Sequence, residues 1–276
     1  MKFNVAIVPF ARDAEEQVNI CLETKTKAVT LSLHDYNDKK DYMTEAATLF
    51  NKNNIEIVSL HASFYPGTLS SSAEDVRGEL IKTILEEMEI FAAFCPGKIV
   101  VVHPGEFVEA ESQLAEHYEI CKGSLKEIFT QAKKLNLKVA VENMRHGDDR
   151  PHENFKFRIG EDPEKLVEIL NSLNFENTGI CFDTGHANIA GDIIERLKAC
   201  GDKLMHIHIS DNFGVRDNHL MPGKGNIDWK AFATTLSALN YKGSIELEIV
   251  KPEERESAEV ILEARKRLQK FLGELE

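Results

Sequence analysis

Eight short β-rich runs, spread along the chain and separated by helix-like stretches, constrain the fold more than any other feature of this sequence. They are FNVAIV (3–8), AVTLSL (28–33), IEIVSL (55–60), KIVVV (98–102), KVAVE (138–142), TGICFD (178–183), LMHIHI (204–209) and SIELEI (244–249). Each is nearly continuous in apolar residues, as expected of parallel strands covered on both faces. Between them, 40–53, 73–94, 110–136, 161–173, 191–201 and 228–240 show helical periodicity and many charges, and 254–273 follows the last run. Strand and helix alternating about eight times in 276 residues predicts an α/β protein, a (β/α)8 TIM barrel, with the whole chain 1–276 as one domain. The main rival is a doubly wound open sheet. It would more often carry five to seven strands and a Gly-rich phosphate loop after the first. The first run here ends in Val8-Pro9-Phe10 instead.

Composition narrows the setting. Hydrophobic residues make up 42% of the chain, enough for a sizeable core. No apolar run approaches the roughly 18–20 residues that span a bilayer, and the N-terminus turns acidic too soon for a signal peptide. Cys21, Cys95, Cys121, Cys181 and Cys200 are scattered and never form a Cys-x-x-Cys pair. That argues against a disulfide framework and a cysteine zinc site, and points to a reduced cytoplasm. A formal net charge of −13 disfavours a broad phosphate-binding face, so nucleic acid is not the expected partner.

The chemistry collects at the C-terminal ends of the runs. His61 follows the third, His103 the fourth; Glu142 ends the fifth, and Asp183 ends the sixth with His186 just beyond. The seventh holds His206 and His208, the eighth Glu246 and Glu248. Taken singly, His61 or His103 reads more readily as a hydrogen-bonded structural histidine, Asp183 as a helix N-cap, and Glu142 as a buried carboxylate with an arginine partner. In a barrel these ends converge on one mouth, where active sites lie. Six consecutive strands supplying His, Asp or Glu at one level point to a divalent-metal site. Along a strand, alternate side chains share a face. His208 and Glu248, nearer the strand ends, are therefore expected at the mouth, with His206 and Glu246 as an inner layer or partners behind the ligands. The stretch from Leu204 to Trp229 is the densest part of the pattern, its loop adding Asp217 and His219 before Pro222-Gly223-Lys224-Gly225. The Gly223-x-Gly225 pair reads as a tight-turn device and not as a nucleotide loop. The longest irregular stretch, 143–160, follows the fifth run and is expected to rise from the same face.

These residues resemble a known superfamily. VEN at Glu142, DTGH at Asp183, HIHISDN at His208, PGKGNIDW after it and NYKGSIELE before Glu248 look like the xylose-isomerase-like TIM barrels. That group includes sugar isomerases and ketose epimerases, and also apurinic endonucleases of the endonuclease-four type. The resemblance covers essentially the whole chain and is specific for fold and metal site, not for substrate. In the epimerase branch it implies that Glu142, Asp183, His208 and Glu248 hold one divalent ion, zinc, manganese or magnesium. The two glutamates would move a carbon-bound proton, and His186 would contact substrate. In the endonuclease branch the matching set is larger and implies three zinc ions held by His61, His103, Glu142, Asp183, His186, His208, Asp217, His219 and Glu248.

The expected activity is thus a metal-dependent isomerase or epimerase of a sugar or sugar phosphate, working by proton transfer through an enediolate, with one to three ions. Arg216 and Arg145 join His186 as candidates to orient substrate, and Arg145, Arg150 and Lys251 to bind a phosphate or carboxylate, although each also reads as a solvated surface charge. Phe64, Tyr65 and Phe107 are candidate pocket walls or plain rim packing. The alternative is a zinc phosphodiesterase acting on abasic DNA. A non-enzymatic sugar-binding protein would not need so complete a ligand set. A homo-oligomer is compatible with the sequence; a membrane partner is not expected.

Overall fold

The computed structural model describes residues 3–9, 11, 13–105, 107–146, 157–250 and 256–273. Arg150 and Lys251, and residues 147–156 of the long irregular stretch, lie outside the described residues. Each apolar run contains a strand: β1 (Val5–Ile7), β2 (Ala28–Ser32), β3 (Glu56–His61), β4 (Ile99–Val102), β6 (Lys138–Glu142), β8 (Thr178–Asp183), β9 (Leu204–Ile209) and β10 (Ile245–Leu247). Two short strands intervene, β5 (Phe107–Val108) and β7 (Phe157–Arg158). The eight long runs close into a parallel barrel in the order β1-β10-β9-β8-β6-β4-β3-β2, while β5 and β7 pair antiparallel on their own. The expected TIM barrel is the observed fold.

Helices α1 (Ala14–Thr24), α2 (Lys39–Lys52), α3 (Glu74–Phe94), α4 (Leu114–Lys134), α5 (Pro163–Leu173), α6 (Thr184–Ala190), α7 (Ile193–Cys200), α8 (Trp229–Ala238) and α9 (Ser257–Leu272) link or follow the strands. Local chemistry starts several of them. The Asp13 carboxylate accepts from Glu16 N at 2.9 Å and that of Asp162 from Glu164 N at 3.0 Å, with Pro163 opening α5. Both satisfy a donor that the first turn leaves free. Among the described residues no helix is long and apolar enough to cross a membrane.

Period-2 alternation sorts the strand residues between two environments. Outward-facing Val100, Val102, Val139, Val141, Ile180, Phe182, Ile207, Ile209, Ile245 and Leu247 join one core cluster with the helices. Inside the barrel, Val101, Ala140 and Cys181 make a separate apolar wall. The facing wall is polar: Thr30, Ser59, His206 and Glu246, all buried and joined by hydrogen bonds. Barrel interiors are more often filled by bulky branched side chains. A register shift between Ile180 and Cys181 on β8 leaves Asp183 opposite His208, and His208 opposite Glu246.

Candidate metal centre

Glu142 stands at the middle of the mouth, at the end of β6, and is buried. Its Oε2 lies 3.2 Å from His103 Nε2, 3.5 Å from His61 Nε2 and 3.5 Å from His208 Nδ1, and its Oε1 lies 3.1 Å from His186 Nδ1. Four strands thus send an imidazole or its support towards one carboxylate. Glu248, just past β10, has its Oε2 3.0 Å from His208 Nδ1. Asp183 does two jobs. Its Oδ1 accepts from His186 N at 2.5 Å, capping α6, while its Oδ2 is buried with no hydrogen-bond partner. The N-cap reading of this residue is thus observed, and its second oxygen stays available to the mouth.

The histidines are oriented from behind. His186 donates Nδ1–H to the Asn143 carbonyl at 2.9 Å and turns Nε2 to Asp217 Oδ2 at 3.1 Å. His219 donates Nδ1–H to the Glu248 carbonyl at 3.0 Å, its Nε2 lying 3.3 Å from Asp217 Oδ1. His61 likewise has Nδ1 3.1 Å from the Ala62 carbonyl. A carbonyl on one ring nitrogen sets the tautomer and leaves the other nitrogen for the site. His206 sits deeper, with Nε2 3.0 Å from Glu246 Oε2.

Asp217 and His219 reach the mouth because their loop is tied down at its base. Asp211 is buried; its Oδ1 accepts from Asn212 N at 2.9 Å and Ile227 N at 3.4 Å, and its Oδ2 from Gly223 N at 2.7 Å and Trp229 Nε1 at 2.9 Å. Gly225 is required there, since a Cβ would lie 2.1 Å from the Asn212 carbonyl oxygen. His219 itself takes a left-handed φ of 46°, a conformation uncommon for a side-chain-bearing residue.

The chain matches a family model described as the xylose isomerase-like TIM barrel over residues 13–271. It belongs to that family. An uncharacterized protein of Methanocaldococcus jannaschii is 35% identical over 205 residues, a match covering 72% of this chain and 66% of that protein, just under two thirds of its length. A probable endonuclease 4 of Bacillus anthracis is 28% identical over 195 residues, 65% of this chain and 61% of that one. A solved structure described as a D-tagatose 3-epimerase-like protein superposes with a TM-score of 0.83 at 26% identity, covering 99% of this chain and 97% of the other.

In this xylose-isomerase-like barrel the mouth carries more buried acid than a metal-free interior tolerates easily. Burial works against ionised Glu142, but the His103 and His208 imidazoles outweigh it and hold the carboxyl well below its usual range. Asp183 moves the other way. Burial, only partly offset by His186 and reinforced by Glu248, Glu142 and Asp217, pushes its carboxyl up to about 7. Burial opposes protonation of His186, yet Asp183, Asp217 and Glu142 hold its pKa well above the ordinary value. His219 is lifted to about 10 against burial, chiefly by Asp217 and Glu248.

The donor set fits a divalent cation. One donor atom each from Glu142, Asp183, His208 and Glu248 lies within 4.8 Å of the others. Glu142 Oε2, Asp183 Oδ2, Glu248 Oε2 and both nitrogens of His208 are buried without a hydrogen-bond partner, where native proteins rarely leave polar atoms unmatched. Three carboxylates and one imidazole suit magnesium, manganese or zinc. His61, His103 and Glu142, and also His61, His208 and Glu248, form further groups within the same limit.

Other expected residues are placed differently. Phe64 packs against the imidazoles, with ring centroids 4.9 Å from His103 and 5.7 Å from His61. Tyr65 is exposed. Arg145 and Arg158 both lie over the Phe107 ring, at 5.2 and 4.6 Å. Arg216 is exposed on the loop that carries Asp217. Beside the cluster opens a cavity of about 340 Å³, lined in part by His34, His61, Phe64, His219, Glu248 and Val250. Two residues escaped the sequence reading. Asn143 accepts from Asp183 N at 2.8 Å through Oδ1 and donates to the Asp183 carbonyl at 3.1 Å. Asp211 is the anchor described above. Both lay inside quoted motifs, Asn143 in VEN and Asp211 in HIHISDN, without being given a role.

Proposed function

We propose that this protein is a divalent-metal-dependent isomerase or epimerase acting on a small sugar. The carrying observation is the convergence of two glutamates from separate walls of the barrel, Glu142 on β6 and Glu248 after β10, within the one ion-sized group that also contains Asp183 and His208. The fold match to a D-tagatose 3-epimerase-like protein supports the same chemistry. A cation held by Glu142, Asp183, His208 and Glu248 would supply Lewis-acid polarisation of a substrate carbonyl. The chain's own groups then do the rest. One glutamate takes the proton from the carbon beside the carbonyl, and the other, or the same one, returns a proton to carbon. Return to the opposite face of that carbon epimerises it; return to the former carbonyl carbon, with the proton of the first carbon's hydroxyl passing to the former carbonyl oxygen, isomerises aldose and ketose. Neither outcome needs an oxidant or reductant. His186, held in place by Asn143 and Asp217, is the candidate hydroxyl-orienting group, with Arg216 and Arg145 as further candidates. The cavity of about 340 Å³ falls in the size range of small-molecule sites.

A second reading is favoured by one specific feature. His61 and His103 both face Glu142 Oε2, and His186 and His219 share Asp217, although a single ion needs none of these pairs. Such a ring of donors suits a cluster of two or three zinc ions acting on a phosphodiester, the reaction class implied by the name of the endonuclease 4 relative. The net charge of −13 weighs against a duplex-binding face.

The test incubates the protein, with manganese, magnesium or zinc, in deuterated water with a panel of free and phosphorylated ketoses, and in parallel with a duplex containing an abasic site. Deuterium at carbon with intact DNA is the expected result. Nicking of the abasic strand without exchange would replace the first reading by the second. Glu248→Gln should lower exchange by about 10²–10⁴-fold with the protein still folded; full exchange in that variant would refute the two-glutamate assignment.

A further inference from the structure

His208 is oriented unlike the other histidines of the mouth. His61, His186 and His219 each have a main-chain carbonyl on Nδ1; His61 and His219 turn Nε2 to Glu142 and Asp217, while His186 Nδ1 also lies 3.1 Å from Glu142 Oε1. His208 differs: its Nδ1 faces Glu248 Oε2 at 3.0 Å and Glu142 Oε2 at 3.5 Å, and its Nε2 faces Glu246 Oε2 at 3.5 Å. Both nitrogens are buried and neither has a hydrogen-bond partner. Only one of them can take a cation, and the other must then carry the proton and find an acceptor.

We infer that Glu246 is that acceptor, a positioning carboxylate that fixes His208 as the Nε2–H tautomer and presents Nδ1 to the metal. This rests on the metal-centre reading above and goes beyond it: Glu246 groups with His206 and His208 beneath the mouth, and not with Glu142, Asp183 and Glu248. Glu246 and His208 are register partners on adjacent parallel strands, so the juxtaposition is built into the sheet. The carboxylate is itself held still. Its Oε2 accepts from Thr30 Oγ1 and lies 3.0 Å from His206 Nε2, and Thr30 Oγ1 is 2.6 Å from Ser59 Oγ. Oε2 is also the oxygen that faces His208 Nε2, at 3.5 Å, while Oε1 is buried without a partner, so Thr30 and His206 do not use up the carboxylate. All of these groups are buried in the polar wall of the barrel interior. A closing of a few tenths of an ångström between Glu246 and His208 Nε2 makes a hydrogen bond of ordinary length. The polar wall thereby acquires a role that apolar filling would not serve. A carboxylate behind a histidine ligand raises its basicity as well as fixing its ring.

The test measures binding of zinc and of manganese, each added alone, to the wild-type protein and to Glu246→Gln. Glutamine keeps the shape and can still accept one hydrogen bond, but lacks the charge. The expected result is about 10–100-fold weaker ion binding with an unchanged melting temperature in the ion-free state. Glu246→Leu should be weaker still, and Glu246→Asp should recover part of the loss. Affinity in Glu246→Gln within about threefold of wild type would overturn the inference while leaving the metal centre standing. Absence of ion binding by the wild-type protein would instead sink both. Should the Glu246 variants not fold, the wild-type protein labelled with 15N-histidine and loaded with zinc decides the matter. The His208 resonances, identified by their loss in His208→Gln, should show a proton on Nε2 and zinc-shifted Nδ1. The opposite assignment would overturn the inference.

Discussion

Asp183 serves the fold with one oxygen and leaves the other to the proposed metal centre. One carboxylate oxygen caps α6 through His186 N, and the other is left bare among Glu142, His208 and Glu248. Its carboxyl, lifted by burial to about 7, holds a proton in mildly acidic solution that a cation must displace. His186, held well above its usual value, does the same. Ion affinity should therefore fall as pH drops below about 7, with proton release on binding measurable by calorimetry in two buffers of different ionisation enthalpy. The sign for stability follows from linkage. A carboxyl whose folded pKa is raised from 3.8 to about 7 contributes stability at low pH that is lost as pH rises through about 7. A histidine raised from 6.5 to about 10, as His219 is, also loses its contribution on the alkaline side, as pH climbs towards about 10. The ion-free protein should thus melt at a lower temperature at about pH 8 than at about pH 6, and added divalent ion should narrow the difference. A flat profile in the absence of ion would contradict these shifts.

At the scale of elements, the loop between β9 and α8 is the piece whose failure is easiest to isolate. Asp211 is the common acceptor for Asn212, Gly223, Ile227 and Trp229. Removing it strands several buried donors, each at about 1–3 kcal/mol. Asp211→Ala should lower stability by about 3 kcal/mol or more in denaturant melts, and should weaken ion binding although Asp211 touches no ion. Gly225→Ala should act in the same direction, because its Cβ meets the Asn212 backbone and not a movable side chain. Wild-type ion affinity in Asp211→Ala would mean that Asp217 and His219 are placed by something other than this anchor. A comparable tie runs beneath the β3 end: buried Glu87 on α3 accepts from Ser63 N at 2.8 Å and pairs with Lys39 on α2 at 2.5 Å. It fixes the segment that leads from His61 to Phe64.

The molecule as a whole places five acidic groups, Glu142, Asp183, Asp217, Glu246 and Glu248, at or under one mouth of a chain already carrying a net charge of −13. A cation that binds only the folded state stabilises it by mass action, about 2.7 kcal/mol at a concentration 100 times the dissociation constant. For a chain of this length that corresponds to about 5 °C in melting temperature. Exhaustive chelation should lower the melting temperature by this amount, and re-addition of manganese or zinc should restore it. No response to either treatment would remove the metal centre from the description.

The barrel was legible in the residue order because its signal is local. Near-continuous apolar runs such as KIVVV and KVAVE mark strands buried on both faces; period-2 alternation put His206 with His208 and Glu246 with Glu248 on one face, and nearness to the strand end singled out His208 and Glu248 as the candidates for the mouth. The strand ends also announced Glu142 and Asp183 as candidates. Short α6, opened by the same Asp183, and the β5–β7 pair were not legible, since seven and two residues carry too little periodicity to distinguish them from loop. What the sequence could not contain was the set of distances across the closed ring. Which nitrogen of His208 faces the mouth, which carboxylate stands behind it, and how Asp211 turns Asp217 and His219 inward all depend on side chains far apart in the chain. Only the curvature and stagger of eight paired strands bring those groups within a few ångströms of one another.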